Sequence, residues 1–243
     1  MKVKINKNYD EMSQAVANQI IDYINKKPES LLCLAGGDTP LKTYECLVKA
    51  AESNKVDFSK AKFVSLDEWV GLGSSTKGSC VETLYTHLYD KLPINVEEQV
   101  CFFDGLTDDL EKECNRVDKF IADSNGIDVC LLGIGMNGHL GFNEPNVNPE
   151  LQCAVIPLDP VTKTVGAKYF DEAVNVTAGI TVGLKHLLTS KNLILIANAE
   201  KKADIVKKTI EGEITIEVPS SMARKNENSS IYIDEEAASK LNK

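Results

Sequence analysis

Short, nearly continuous hydrophobic runs alternate along the chain with longer stretches in which apolar residues recur every three or four positions. The short runs have the pattern of strands buried on both faces, and the longer stretches have the period of amphipathic helices. The predicted strands begin near Val3 and then cover Leu31–Ala35, Phe63–Leu66, Val100–Phe103, Val129–Leu132, Val155–Leu158, Leu193–Ala197 and Ile231–Ile233. The predicted helices lie near Met12–Asn25, Leu41–Ser53, Val81–Leu88, Leu110–Asp123, Gly183–Leu188 and Ala203–Ile210. This alternation predicts a Rossmann-like α/β fold, with a mainly parallel sheet and helices on both of its faces.

The 243 residues contain no low-complexity tract, internal repeat or long linker, so we interpret residues 1–243 as one domain. Sheets of this kind bind ligands beyond the carboxyl ends of their strands, where the direction of winding changes. We therefore expect the chemistry of the protein in the loops that directly follow the apolar runs.

The charge balance limits the classes of partner. Acidic residues outnumber basic ones by 36 to 27, for a formal net charge of -9, which disfavours nucleic-acid and anionic-membrane partners. No apolar run approaches the roughly 20 residues of a membrane span, and Met1–Ile5 lacks the apolar region of a signal peptide. We expect a soluble, cytoplasmic protein.

The seven cysteines are scattered, and no two of them form a C-x-x-C pair. Neither a zinc site nor a redox dithiol is indicated, and buried thiols in a reducing cytoplasm are the simplest interpretation. His87 and His186 lie on predicted helix faces, where we interpret them as structural.

The first loop with candidate chemistry reads Gly36-Gly37-Asp38-Thr39-Pro40. Its two glycines let the backbone approach a ligand, and its proline suits the first turn of the next helix. Free amides at the helix start, with the Thr39 hydroxyl, would form a phosphate cradle. Asp38 would repel a phosphate, so we expect its side chain to turn away and cap the helix. The alternative is a tight turn that binds no ligand.

The second loop follows Phe63–Leu66 and reads Asp67-Glu68-Trp69-Val70-Gly71. If the strand continues, its two adjacent carboxylates point to opposite sides, so one can reach a substrate while the other meets a structural partner. A carboxylate held over a substrate carbon can act as a general base between neighbouring carbons. The alternative is a helix cap beside a solvated acid. We interpret Trp69 as a packing residue.

The third loop, after Val129–Leu132, is the most specific, because four glycines fall within the nine residues from Gly133 to Gly141. It contains His139, whose imidazole titrates near neutral pH and can both give and take a proton. Asn137 and Glu144 flank this histidine and would orient and tune its ring. The alternative is a glycine-rich turn around a hydrogen-bonded histidine.

Three of these glycines also match the dinucleotide-binding string G-x-G-x-x-G. No acidic residue ends a strand about 20 positions further on, and a helix does not run comfortably through Gly141 and Pro145. Nucleotide binding is therefore not expected.

Together the three loops resemble the glucosamine-6-phosphate deaminase (isomerase) family, which shares its fold with 6-phosphogluconolactonases. The resemblance covers essentially the whole chain. Its most specific segment is Gly138-His139-Leu140-Gly141-Phe142-Asn143-Glu144-Pro145. The lactonases resemble this loop up to the histidine but usually continue with a Ser-Leu-Phe-Pro type of ending, which favours the deaminase branch.

The resemblance implies that Asp67 moves a proton between C1 and C2 of an open-chain amino-sugar phosphate. It implies that His139 manages ring opening, with Asn137 and Glu144 as its partners. Neither a cofactor nor a metal is expected for such proton transfers. The competing interpretations are a lactonase, in which His139 would activate water, and a non-catalytic sugar-phosphate sensor.

The same resemblance assigns the substrate phosphate to the first loop, with Gly36, Gly37, Asp38 and Thr39. Two lysines stand where the family places phosphate-binding cations, namely Lys168 and Lys202.

Three departures from the family pattern leave questions open. Asn137 stands where many members have aspartate, so this side chain cannot share a proton with His139. Gly78-Ser79-Cys80 replaces a His-Pro-x-Ser-Tyr pattern, which leaves glucosamine and galactosamine 6-phosphate both possible as substrates. The stretch Asn146–Pro149 lacks the arginine of allosterically regulated members. A monomer is therefore preferred, with a homo-oligomer as the alternative.

Overall fold

The computed structural model describes residues 1–170 and 174–242. Its helices are α1 (Tyr9–Lys26), α2 (Leu41–Glu52), α3 (Cys80–His87), α4 (Val96–Gln99), α5 (Leu110–Asp123), α6 (Pro160–Gly166), α7 (Leu184–Leu188) and α8 (Ala203–Glu211). Its strands are β1 (Lys2–Asn6), β2 (Leu31–Leu34), β3 (Lys62–Ser65), β4 (Asp67–Trp69), β5 (Val100–Cys101), β6 (Val129–Gly133), β7 (Ala154–Pro157), β8 (Ala178–Thr181), β9 (Leu193–Ala197) and β10 (Ser229–Asp234).

Seven strands form a parallel sheet in the order β1-β10-β9-β6-β2-β3-β5. From β2 the chain winds outward through β3 to β5, and from β6 it winds the other way through β9 to β10. The direction of winding therefore changes between β2 and β6, which are neighbours, with Cys33 opposite Cys130. A ligand crevice is expected at this point, beyond the carboxyl ends of the two strands.

Hydrophobic layers cover both faces at the centre of this sheet, which is why β2, β6 and β9 are apolar without a break. Within β2, Leu32 and Leu34 face a cluster that includes Met12 and Ile20 of α1. The alternate residues of β2 face a second cluster, which includes Val117 of α5. The predicted α/β fold, with a mainly parallel sheet between helical layers, is confirmed.

A second, three-stranded antiparallel sheet has the order β4-β8-β7. The predicted strand Val155–Leu158 belongs to this sheet, as β7, and not to the parallel one. The segment Asp67–Trp69, interpreted above as a loop, is a strand, with Asp67 opposite Thr181 of β8. The sequence did not predict this strand because two of its residues are acidic, and aspartate and glutamate are depleted in strands.

Other boundaries also differ from the sequence prediction. The predicted strand Val100–Phe103 is only two residues long in the structure, and the short helices α4 and α6 had no predicted counterpart. Helix α6 begins at Pro160 and is capped by Asp159, whose side chain accepts a hydrogen bond from the Val161 amide. Among the residues described, no helix has the length and hydropathy needed to cross a membrane.

Candidate active site

A cavity that is partly open to solvent lies beyond the carboxyl ends of β2, β3 and β6, and its empty space, open solvent included, is about 890 Å³. The predicted site residues that line it are Gly36, Gly37, Asp38, Thr39, Asp67, His139 and Lys202. The remaining three, Asn137, Glu144 and Lys168, contact residues of its wall instead. The three loops singled out by sequence thus meet at the winding switch of the sheet.

Asp67 opens β4 and is only 8% exposed, in the wall of the cavity. Burial raises the pKa of Asp67 to about 7, the negative charge of Glu68 adds to this, and a hydrogen bond from the Cys80 thiol acts in the opposite direction. A carboxylate with such a pKa can accept and return a proton near neutral pH, as a general base must.

Glu68 has a different set of contacts from its neighbour. Its carboxylate accepts hydrogen bonds from the backbone amides of Trp69, at 2.8 Å, Cys80, at 3.0 Å, and Val81, at 2.8 Å. Burial raises the pKa of Glu68 to about 7, while these three amides favour its charged form. The Cys80 and Val81 amides belong to the first turn of α3, so the Glu68 carboxylate links β4 to that helix by hydrogen bonds.

His139 lies against a glycine that leaves room for its ring. A Cβ atom on Gly135 would lie 2.3 Å from the Nε2 atom of His139, so any larger residue would displace the imidazole. The loop closes through hydrogen bonds from the Gly135 amide to the His139 carbonyl, at 3.0 Å, and from the Gly138 amide to the Gly135 carbonyl, at 3.0 Å. Gly138 has a φ of +89°, a conformation that L side chains rarely adopt.

The Nδ1 atom of His139 is held by two side chains, Glu144 and Thr162. It lies 3.3 Å from the Oε2 atom of Glu144 and 3.0 Å from the hydroxyl of Thr162. Asn137 donates to the same Glu144 oxygen at 2.9 Å, and its own oxygen accepts from the His139 amide at 3.2 Å. The engagement of Nδ1 leaves Nε2 for a ligand.

The hydrogen bonds around Glu144 keep it charged. Burial alone would raise the pKa of Glu144, but bonds from His139, Thr162 and Asn137 outweigh it and lower that pKa. Thr162 was missed by the sequence analysis because it lies on α6, a short helix with too few residues to show a period.

The first loop differs from the prediction at Asp38. Helix α2 is capped by Pro40 without a side-chain hydrogen bond, so the expectation that Asp38 caps it was wrong. The Asp38 carboxylate instead lies 2.5 Å from the Nζ atom of Lys168, and both side chains are about half exposed. A salt bridge to a lysine satisfies the carboxylate better than the helix start would.

The loop glycines have unequal surroundings. A Cβ atom on Gly36 would lie 2.8 Å from the Cα atom of Cys80, so the loop packs against the start of α3 there. A Cβ atom on Gly37 would meet nothing within 4 Å. Gly36 is therefore required by packing.

Lys202 places a partly buried ammonium group in the cavity wall, where it donates to the carbonyl oxygen of Ile134. Burial lowers the pKa of Lys202 to about 8, and the charges of Lys201 and Lys168 add to this effect. An anionic group bound nearby would restore its full positive charge.

Aromatic residues close one side of the cavity. Trp69 packs against Phe142, with ring centroids 4.6 Å apart, and against Phe170, at 5.6 Å. A Cβ atom on Gly166 would lie 2.5 Å from the Trp69 ring, so α6 approaches this ring closely. Within the described residues, no group of three or more metal-ligating side chains lies in the cavity.

Comparison with known proteins agrees with this architecture. Residues 6–232 match the profile of the family described as glucosamine-6-phosphate isomerases/6-phosphogluconolactonase. The glucosamine-6-phosphate deaminase of Clostridium botulinum is 36% identical over 243 residues, covering 100% of this chain and 99% of that protein.

Two solved structures resemble the protein to different degrees. A monomeric glucosamine-6-phosphate deaminase has a TM-score of 0.95 at 33% identity, covering 98% of this chain and 99% of that one. A 6-phosphogluconolactonase from Trypanosoma brucei has a TM-score of 0.76 at 20% identity, over 99% of this chain and 98% of that one. This second likeness shows a common fold.

The fold and the relatives define an α/β enzyme whose candidate active site lies at the winding switch of its parallel sheet. The chain belongs to the glucosamine-6-phosphate isomerase/6-phosphogluconolactonase family, which confirms the resemblance seen in its loops.

Proposed function

We propose that this protein converts an amino-sugar 6-phosphate into a ketose 6-phosphate and ammonia. The observation that supports this most is the joint presence, in one cavity, of Asp67 with a pKa of about 7 and His139 backed by a carboxylate. Relatives at 36% and 33% identity are named glucosamine-6-phosphate deaminases, whereas the lactonase match is at 20%.

Substrate binding would use the first loop and the two lysines. The hydroxyl of Thr39, the backbone of Gly36 and Gly37, and the ammonium group of Lys202 surround one end of the cavity and suit a phosphate. Lys168, held by Asp38, adds positive charge at the rim. The pyranose then extends toward Asp67 and His139.

Ring opening is the task of His139. Its Nε2 atom takes the C1 hydroxyl proton and returns a proton to the ring oxygen, which yields the open-chain aldehyde. Glu144 and Asn137 orient the ring through Nδ1, and Thr162 contributes a third polar contact.

Asp67 then takes the proton from C2 and delivers it to C1 through an enolamine. This gives an imine at C2, which water hydrolyses to the ketose phosphate and ammonia. The isomerisation moves protons only, which side chains can carry, and the hydrolysis consumes one water as the C2–N bond breaks and ammonia leaves.

We also propose that the protein works as a monomer in a reducing compartment such as the cytoplasm. The structural relative with a TM-score of 0.95 is a monomeric deaminase. All seven cysteines are free thiols. Its partner is a small sugar phosphate, and the acidic net charge disfavours nucleic acid.

The test is an ammonia-release assay on glucosamine 6-phosphate and galactosamine 6-phosphate, run side by side. We expect ammonia from at least one of them, in equal amount to the ketose phosphate formed, and the better substrate identifies the preferred C4 epimer. The control reaction uses 6-phosphogluconolactone. Lactone hydrolysis without ammonia release from either amino sugar would overturn the proposal in favour of a lactonase.

A further inference from the structure

Three potential metal ligands meet on the α5 side of the sheet, outside the cavity. Asp118 lies on α5, Cys153 directly precedes β7, and His186 lies on α7. None of the three lines the cavity described above. Cys153 and His186 are 35 and 68 residues away from Asp118, so the sequence shows no local pattern of metal ligands.

Their potential ligand atoms are already close together. The Asp118 Oδ1 atom lies 2.8 Å from His186 Nε2 and accepts from the Cys153 amide at 2.9 Å. One carboxylate oxygen, one thiol sulfur and one imidazole nitrogen all lie within 4.8 Å of one another. Among the described residues, this is the one group of three or more such side chains with that geometry.

The surroundings of the cluster are rich in negative charge and sulfur. Cys114 is buried one helical turn before Asp118 on the same side of α5.

We propose that Asp118, Cys153 and His186 form a binding site for a thiophilic divalent cation of the zinc class. Thiolate and imidazole ligands select zinc and its transition-metal neighbours, whereas calcium and magnesium require oxygen ligands. Binding releases the Cys153 thiol proton, and the metal takes the place of the proton between His186 Nε2 and Asp118, so that the neutral ring carries its proton on Nδ1. The side chains of His186 and Asp118 are 13% and 18% exposed, which leaves access for water as a fourth ligand.

A metal bound at this site would stabilise the three-stranded sheet that carries Asp67, the proposed base. Cys153 is followed by Ala154, which pairs with Thr181 of β8, and Thr181 in turn pairs with Asp67 of β4. A metal bound there ties this sheet to α5 and α7 without touching the substrate. Its expected effect is therefore on stability.

The experiment titrates metal-stripped, reduced protein with Co²⁺ and Cd²⁺ and follows the thiolate-to-metal absorption bands. We expect one equivalent of Co²⁺ or Cd²⁺ to bind to each protein molecule and Zn²⁺ to displace it. Zn²⁺, but not Mg²⁺, should raise the melting temperature. Cys153→Ser and His186→Gln should each weaken binding at least about 10-fold. The matched control is Cys46→Ser, which removes the other partly buried thiol and should bind like the wild type.

Two outcomes would overturn the proposal. One is the absence of a thiolate-to-metal absorption band in the wild-type protein. The other is a band that does not depend on this site, because it survives both Cys153→Ser and His186→Gln or is lost equally in Cys46→Ser. Circular dichroism shows whether each variant is folded. Cys153→Ser, which changes only sulfur to oxygen, serves as the site variant if His186→Gln does not fold.

Discussion

Two buried aspartates at opposite ends of the same parallel sheet have opposite surroundings. Asp128 immediately precedes β6 and is 0% exposed, and Asp67 follows β3 at the carboxyl end and is 8% exposed. The Asp128 carboxylate contacts Lys27 Nζ at 2.6 Å and Lys191 Nζ at 2.8 Å. It also accepts from the Leu31 amide at 3.0 Å.

The pKa values of the two carboxyl groups follow from these contacts. Burial would raise the pKa of Asp128, but hydrogen bonds from Lys191, Lys27 and Leu31 outweigh it and lower that pKa. For Asp67, burial dominates and raises the pKa to about 7, with no cation among the interactions that shift it. Two carboxyl groups with little solvent exposure thus differ: the one beside two lysines keeps a fixed charge, and the more strongly desolvated one without a cation is titratable. The charged Asp128 stabilises the fold through its ion pairs, and the titratable Asp67 is suited to catalysis.

The largest expected effect comes from Asp67→Asn. We expect turnover to fall at least about 100-fold because the amide cannot accept the C2 proton. The KM value should change little, since the substrate is held mainly by its phosphate. The ammonia assay gives both constants, and Asp128→Asn is the control, with normal turnover per folded molecule. Near-normal turnover in Asp67→Asn would show that another group is the base.

Asp128→Asn, in contrast, should lose stability and keep its turnover. Loss of the charge removes two ionic hydrogen bonds and should lower the free energy of unfolding by about 1–3 kcal/mol. The loss is limited because Lys27 and Lys191 are 43% and 46% exposed and can turn to water. Urea unfolding measures this difference. A loss of equal size in Asp67→Asn would remove the distinction between the two ends of the sheet.

The pH dependence of stability should have opposite signs at the two sites. Asp67 has a folded pKa of about 7, above the unfolded value of about 3.9, so the folded state binds more protons between these values. Its contribution to stability therefore falls as pH rises through this window. Asp128, with a lowered folded pKa, contributes fully above about pH 3.9 and loses that contribution as pH falls through its folded pKa.

Unfolding of the two variants at several pH values tests this. Relative to the wild type, Asp67→Asn should gain about 2–3 kcal/mol between pH 5 and pH 8. Asp128→Asn should approach the wild type as the solution becomes strongly acidic. Parallel pH curves for Asp67→Asn and the wild type would show that Asp67 is charged throughout this range.

The sequence predicted the fold well where both faces of a strand are buried, as for β2 and β6. It failed at β4 and β8, because two acids open the first and Gly179 interrupts the second. That glycine is required, since a Cβ atom there would lie 2.1 Å from the Phe142 ring. Packing of this kind joins distant segments and leaves no local pattern.

The candidate site was predictable to the extent that it lies on strand ends. The loops after β2, β3 and β6 meet because neighbouring parallel strands end at the same edge. Thr162 was not found, because its contact with His139 is made across 23 residues. The salt bridge of Asp38 with Lys168 spans 130 residues and was equally hidden.

The smallest expected effect concerns Cys80, whose thiol hydrogen bond lowers the pKa of Asp67. In Cys80→Ala that bond is lost, so the pKa of Asp67 should rise. The acidic limb of the pH profile of kcat/KM should then move to higher pH by a fraction of a unit, since one hydrogen bond contributes about 1 kcal/mol. Cys80→Ser is the matched control, because its hydroxyl keeps a donor at the same position and should leave the limb near its wild-type place. A shift to lower pH in Cys80→Ala would mean that the thiol stabilises the neutral carboxyl group, and the account of why Asp67 differs from Asp128 would have to rest on burial alone.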